Sequence, residues 1–221
     1  MKHLPNALTL LRLVLAPVVA WFFHEGVVAA MTPGQDVIRR LEFVAYNQTV
    51  AAALFIVAAL TDLFDGMIAR AFDAHSKFGR LIDPIADKAI VGLPLIAIVV
   101  AMWLDRSSFW PIAAFATAVI VIRDVSMTLI RLSSPDGEGA PVSSLAKIKT
   151  ALELIVVGSA LGVSALVAHL QVQDSIGDTG FVVIPSYVEA FEWVWLLTLV
   201  MTAALSAWTA WQYLRPAKTI P

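Results

Sequence analysis

Four aspartates stand at regular spacing in one stretch of the chain: Asp62, Asp65, Asp83 and Asp87. Residues three or four apart share one face of a helix, so each pair would face the same way on its own helix. Two antiparallel helices would bring all four carboxylates together, where they repel one another and are costly to desolvate. Divalent cations resolve that conflict, and ligand sets made only of oxygen favour Mg²⁺, Mn²⁺ or Ca²⁺ over zinc. The spacing therefore predicts a metal site.

The residues among these aspartates suit a phosphate ligand. Gly66 would let a pyrophosphate approach the helix backbone. One turn later, the small side chain of Ala69 leaves room on the same helix face. Arg70 offers a planar fork of donors to phosphate oxygens. Gly79 leaves room for a flat base, and His75 is a possible further phosphate contact. Because two nearby metal ions are a common device for displacement at phosphorus, the segment predicts phosphoryl chemistry.

Aspartates at helix ends are often only caps or solvated charges, and any one of the four could be that. Each fixed residue type of the segment occurs at roughly 5–7% in average proteins, so eight at set spacing arise by chance on the order of 10⁻¹⁰ per start position. The segment as a whole therefore favours a functional site.

The composition indicates a membrane protein. The chain has 221 residues, of which 59% are hydrophobic and only 14% charged, whereas a soluble domain carries about 25% charged residues. The net charge of −2 gives no reason to expect nucleic acid as a partner. The absence of cysteine excludes disulfides and a thiolate zinc site.

Six apolar stretches are long enough to cross a bilayer, which takes about 20 residues. They are Ala7–Phe23, Thr49–Phe64, Ile82–Leu104, Phe109–Leu132, Leu145–Leu170 and Val188–Leu214. Arg12 interrupts the first stretch, so we interpret it as a retained helix and not a signal peptide. The second is short and should continue as helix past Asp62. We predict an all-α polytopic protein with six transmembrane helices in a single domain, 1–221, and with loops at 25–48 and 171–187.

Basic residues predict the orientation, because cytoplasmic loops carry an excess of Lys and Arg. One side of the predicted topology holds only Arg39, Arg40 and Arg106. The other side holds Lys2, Arg12, Arg70, Lys77, Arg80, Lys88, Arg131, Lys147, Lys149, Arg215 and Lys218. Both termini and the aspartate segment should therefore be cytoplasmic.

A second set of cations could bind an anionic substrate. Arg123 and Arg131 are eight apart on one face of the fourth span, and Lys147 and Lys149 begin the fifth. A charge within a span is by default a functional hypothesis. The alternatives are an internal ion pair between Arg123 and Asp124, and ordinary interfacial anchoring by the lysines. If all four converge beside the metals, the pocket suits an acceptor that itself carries phosphate.

The pattern D-x₂-D-G-x₂-A-R-x₈-G-x₃-D-x₃-D resembles the signature of the CDP-alcohol phosphotransferases, and every fixed position matches. The resemblance implies two Mg²⁺ or Mn²⁺ ions bound by the four aspartates, with Asp87 also acting as general base. It implies that the CDP group is held by Asp62, Gly66, Ala69, Arg70, Gly79 and Asp83. It also implies a homodimer of six-helix subunits whose active site opens to the cytoplasm.

Other segments are similar to phosphatidylglycerophosphate synthases within that family. These are Arg123-Asp124-x₆-Arg131, the run from Val142 to Thr150 with its Lys-x-Lys-Thr, and an opening segment containing Asn6, Thr9 and Arg12. Asp124 and Leu132 replace glutamates of that subfamily, and Glu153 stands where glutamine is usual. The resemblance implies transfer of a phosphatidyl group from CDP-diacylglycerol to glycerol 3-phosphate in a bacterial inner membrane. It implies acceptor-phosphate contacts by Arg123, Arg131, Lys147 and Lys149, with Asn6, Thr9 and Arg12 as possible site residues.

Two alternatives remain at this stage. One is a cardiolipin synthase of the CDP-alcohol type, which uses phosphatidylglycerol as acceptor and shares Arg-Asp-Val in the fourth span, as at Arg123–Val125. The other is a metal-ion transporter. Transporter sites usually lie near the middle of the membrane, whereas these aspartates fall at helix ends.

Overall fold

A computed structural model describes residues 4–33, 36–72, 77–133, 144–177 and 185–214. Within these ranges, the side chains of residues 4–5, 63–72, 77–81, 131–132, 144, 146 and 185–186 are not described.

The described part of the chain folds into six α-helices joined by short connections. They are α1 (Leu4–Met31), α2 (Val37–Phe72), α3 (Lys77–Leu104), α4 (Trp110–Ser133), α5 (Ser144–Ile176) and α6 (Pro185–Leu214). Each contains a segment long and apolar enough to cross a membrane. The predicted all-α architecture with six spans is confirmed.

The predicted loop at 25–48 is wrong, because α1 continues to Met31 and α2 begins at Val37. Polar residues interrupt the apolar pattern here, but several of them form hydrogen bonds with α1, α2 or the turn between these helices. Asp36 accepts a hydrogen bond from the Ile38 amide at 3.0 Å, and Arg40 donates to the Thr32 carbonyl at 3.2 Å. Gln48 is buried and donates to the Phe23 carbonyl of α1 at 3.4 Å.

The other helix ends fall near their predicted positions. The expectation that α2 runs past Asp62 is confirmed, since this helix ends at Phe72. At the opposite end of the bundle, α5 extends to Ile176 and α6 begins at Pro185, so the predicted loop at 171–187 is too long. Residues 178–184 lie outside the described part.

The helices α1, α2 and α3 pack against one another, and this packing positions the aspartates. α1 lies against both α2 and α3, while α2 also contacts α5, and α4 contacts α6. The core includes Val19 of α1, Leu95 of α3, Leu161 of α5 and Leu199 of α6. Large apolar side chains such as Phe115 face outward, which is the arrangement expected of a helix bundle whose solvent is lipid.

Candidate active site

The described aspartates lie at one end of the bundle. Asp62 lies on α2 ten residues before that helix ends at Phe72, and Asp83 lies on α3 six residues after that helix begins at Lys77. The start of α1 packs beside both. Asp62 and Asp83 therefore lie in the last third of α2 and the first third of α3, toward the ends of these helices that are joined along the chain.

Arg12 of α1 joins two of the aspartates. Its Nη1 atom donates to Asp62 of α2 and also to Asp87 of α3. One nitrogen thus lies between carboxylates from two helices, which shows that both face the same point. The side chain of Arg12 is 2% exposed, whereas those of Asp62 and Asp87 are 45% and 43% exposed. Each carboxylate therefore contacts the buried guanidinium of Arg12 on one side and is exposed on the other.

Thr9 holds a third aspartate from the same helix. Its hydroxyl donates to Asp83, and it precedes Arg12 by three residues, so both lie on one face of α1. Asn6 lies a further turn toward the start of that helix and is partly buried. The sequence named these residues only as possible site residues, and the structure places Thr9 and Arg12 in direct contact with the aspartates.

Several predicted site residues lie on α2 and α3 near these aspartates. Asp65, Gly66, Ala69 and Arg70 follow Asp62 on α2, and Gly79 is in the first turn of α3, but their side chains lie outside the described part. His75 lies outside it entirely. Among the described side chains, no group of three His, Cys, Asp or Glu residues is close enough to hold a metal ion.

The chemistry of the described donors nevertheless fits a divalent cation. Asp62, Asp83 and Asp87 are all carboxylates, the hard oxygen ligands that Mg²⁺ and Mn²⁺ prefer. A cationic nitrogen of Arg12 already lies between Asp62 and Asp87. The two carboxylates therefore converge on a position where positive charge is held.

A second polar cluster is built around Asp124 of α4, which is 4% exposed. Asp124 accepts from Arg123 at 2.8 Å, from Lys88 of α3 at 3.0 Å, and from Lys149 of α5. Lys149 is buried and also pairs with Glu153, one turn along α5, at 2.7 Å. Arg123 reaches α6 as well, where its Nη2 lies 3.1 Å from the Thr209 hydroxyl. The cluster thus joins four helices.

Two of the four cations predicted to converge are brought together here. Arg123 and Lys149 meet at Asp124, so the internal ion pair of Arg123, the alternative to an acceptor contact, is present in the structure. Lys147 is exposed, and Arg131 lies on α4 with its side chain outside the described part. Lys88 was not expected in this cluster. Its position directly after Asp87 was the available signal, because it puts the lysine beside the aspartate segment.

Comparisons with known proteins give the family of this chain. The sequence profile of the CDP-alcohol phosphatidyltransferase family matches residues 2–177. The chain belongs to this family, and it is an enzyme of this type. Membership excludes the metal-ion transporter considered above.

Several similar proteins carry the name CDP-diacylglycerol--glycerol-3-phosphate 3-phosphatidyltransferase. The one from Rickettsia typhi is 34% identical over 164 residues, which is 72% of this chain and 79% of that protein. The one from Cereibacter sphaeroides is 31% identical over 237 residues, covering 97% and 95%. The one from Bacillus subtilis is 33% identical over 170 residues, covering 76% and 78%.

The contact between Thr9 and Asp83 gives a first prediction. Thr9→Val keeps the shape of the side chain but removes the donor to a carboxylate, a contact worth about 1.5–3 kcal/mol. We expect CMP release to slow by about tenfold or more. Thr9→Ser is the matched control, because it keeps the hydroxyl and should stay close to wild-type rate. Equal rates in the valine and serine variants would show that the contact does not matter to the site.

Proposed function

We propose that this enzyme transfers the phosphatidyl group of CDP-diacylglycerol to glycerol 3-phosphate, giving phosphatidylglycerophosphate and CMP. The observation that carries the proposal is the cluster of Lys88, Arg123 and Lys149, which adjoins the aspartates along α3. The relatives named for this reaction support it, one of them along almost the whole chain.

The cationic cluster favours an acceptor with a phosphate of its own. Among the described side chains of this cluster, three positive charges face the two carboxylates of Asp124 and Glu153. Two of the three cations, Lys88 and Arg123, are partly exposed, so an anion from outside can meet the remaining positive charge. Glycerol 3-phosphate brings such an anion, and phosphate accepts strong charge-assisted hydrogen bonds from Arg and Lys. We also assign Arg131 and the exposed Lys147 to this acceptor site.

In the proposed reaction the acceptor hydroxyl attacks the lipid-side phosphorus of CDP-diacylglycerol. The new phosphorus–oxygen bond forms as the bond to CMP breaks, and Asp87 takes the hydroxyl proton. Arg12 fixes the Asp87 carboxylate from beneath and leaves its open side to the substrate. We assign the CDP contacts to Asp62, Gly66, Ala69, Arg70, Gly79 and Asp83.

We further propose that two Mg²⁺ or Mn²⁺ ions are held by Asp62, Asp65, Asp83 and Asp87. Bound there, such ions would supply charge stabilisation at the phosphates. The supporting observations are the oxygen-only donor set and the convergence of Asp62 and Asp87 on one cationic nitrogen.

The six apolar helices make this an integral membrane protein. We propose that it lies in a bacterial inner membrane with both termini and the active site on the cytoplasmic side, and that it acts as a homodimer. The excess of Lys and Arg at the end of the bundle that carries the aspartates supports that orientation.

An acceptor comparison tests the function directly. The purified protein would be given labelled CDP-diacylglycerol and Mg²⁺ with glycerol 3-phosphate, phosphatidylglycerol or free glycerol. We expect rapid CMP release only with glycerol 3-phosphate, slow release with glycerol, and none with phosphatidylglycerol. Release with phosphatidylglycerol and not with glycerol 3-phosphate would instead identify a cardiolipin synthase.

The proposed role of Asp87 gives a second prediction. Asp87→Asn should lower turnover by about 10²-fold or more, the usual contribution of a general base. Affinity for CDP-diacylglycerol should fall much less, because the other aspartates remain. The measurement is turnover beside nucleotide-lipid affinity for the same preparation. A collapse of affinity in step with turnover would make Asp87 chiefly a ligand, and the base would lie elsewhere.

A further inference from the structure

A single carboxylate organises the cationic cluster. Both oxygens of Asp124 are used, Oδ2 by Lys88 at 3.0 Å, and Oδ1 by Arg123 at 2.8 Å and by Lys149. The three cations come from α3, α4 and α5. Long basic side chains on separate helices would otherwise repel one another and sample many rotamers. Asp124 is therefore the contact that brings them to one place.

The cluster has a buried side and an open side. Lys149 and Asp124 are buried, whereas the side chains of Arg123 and Lys88 are 13% and 27% exposed. An anion can thus approach Lys88 and Arg123 from outside while Asp124 holds them from within. Lys88 also follows Asp87 directly on α3. An acceptor whose phosphate meets Lys88 therefore has its hydroxyl end within reach of the aspartate site.

We propose that Asp124 is a positioning residue that holds Lys88, Arg123 and Lys149 together as the binding site for the acceptor phosphate, and that Lys88 belongs to that site. The inference rests on the proposed function, since it takes glycerol 3-phosphate as the acceptor. It makes Asp124 necessary for acceptor binding although a carboxylate and a phosphate carry charge of the same sign.

Because Asp124 and the acceptor phosphate are both negative, a positioning role and a purely neutralising role of Asp124 predict opposite changes in KM. If Asp124 merely neutralised the cations, removing its charge would strengthen the attraction for glycerol 3-phosphate and lower its KM. If Asp124 positions them, Asp124→Asn raises that KM in spite of the added positive charge. Glu153→Gln is the matched control, because it removes one buried negative charge beside the same Lys149 but leaves the three contacts of Asp124 intact.

Steady-state kinetics of the full-length protein in detergent, with both substrates varied, measures the effect. We expect Asp124→Asn to raise the KM for glycerol 3-phosphate by about tenfold or more, as for loss of a buried charged contact. Asp124→Glu should stay within about threefold of wild type, since it keeps the charge and both oxygens. Glu153→Gln should leave this KM unchanged or lower. The KM for CDP-diacylglycerol should change little in all three.

Lys88 is tested separately. Lys88→Gln should raise the KM for glycerol 3-phosphate by about tenfold, and Lys88→Arg should recover most of that loss because it restores a cation. An unchanged KM in Lys88→Gln would remove Lys88 from the site.

Other outcomes overturn the role of Asp124. A KM for glycerol 3-phosphate in Asp124→Asn at or below the wild-type value would make Asp124 a counter-ion only. A parallel rise in the KM of both substrates would indicate general damage to the fold. Should Asp124→Asn fail to fold, Asp124→Ser takes its place: a raised KM for glycerol 3-phosphate with an unchanged KM for CDP-diacylglycerol supports positioning, and a KM for glycerol 3-phosphate at or below the wild-type value refutes it. Wild-type protein that uses phosphatidylglycerol alone would contradict the proposed function itself.

Discussion

Asp62→Asn, Asp65→Asn and Asp83→Asn proteins should each release CMP at least about 10³-fold more slowly than wild type at ordinary Mg²⁺ concentration, because metal ions supply several kcal/mol of charge stabilisation in such reactions. Each substitution keeps the size of the side chain and removes one anionic ligand. In the structure, Asp62 and Asp83 are also the partners of Arg12 and Thr9. The loss should therefore appear in turnover and in Mn²⁺ binding to the detergent-solubilised protein.

A matched control lies at the opposite end of the bundle. Asp105 follows α3 in the turn before α4, and Asp105→Asn removes the same charge far from the other aspartates. It should keep wild-type turnover and Mn²⁺ binding. Substantial activity in Asp83→Asn would refute the metal assignment, whatever the control shows.

Lys149→Met should both weaken acceptor binding and destabilise the protein. Its ammonium is the partner of Asp124 and Glu153, and removing one member of a buried ion pair costs about 3–5 kcal/mol. We expect the KM for glycerol 3-phosphate to rise by about 10²-fold or more, with little change in that for CDP-diacylglycerol. Thermal unfolding in detergent should begin at a lower temperature.

A second substitution separates the two effects. Adding Glu153→Gln to Lys149→Met removes the carboxylate left without its lysine, so stability should largely return while the KM stays high. A return of the KM as well would mean that Lys149 acts only through the fold. Arg123→Lys should also raise this KM, because lysine cannot reproduce the fork with which Arg123 reaches both Asp124 and Thr209.

Most of the fold was predictable because a helix that crosses the membrane needs an apolar segment whose length is set by the thickness of the bilayer. The errors fall where polar residues continue a helix. Asn47 and Gln48 interrupt the apolar run of α2, yet Asn47 donates to Phe43 within its own helix and Gln48 to Phe23 of α1. The second of these partners is a carbonyl 25 residues away. Hydropathy along the chain cannot show that such a partner exists.

The candidate site was predictable where residues of the same type stand three or four apart and so share one face of a helix. The spacing of Asp62, Asp83 and Asp87 placed them at one end of α2 and α3, and the structure agrees. Thr9 and Arg12 were named only through the resemblance, because nothing in their own spacing indicates a partner on another helix. Lys88 was missed for the same reason, since its partner Asp124 is on α4.

The contacts of Arg12 also constrain the order in which the protein can be assembled during synthesis. Its partners Asp62 and Asp87 are made 50 and 75 residues later, a delay of several seconds at about 5–20 residues per second. Until then the first helix carries the charge of Arg12 without these two carboxylates, inside an apolar segment where a charged side chain is costly. The guanidinium must therefore reach toward the lipid headgroups while the ribosome makes α2 and α3. The two contacts that fix Arg12 in the folded protein are therefore complete only after the third helix has been made.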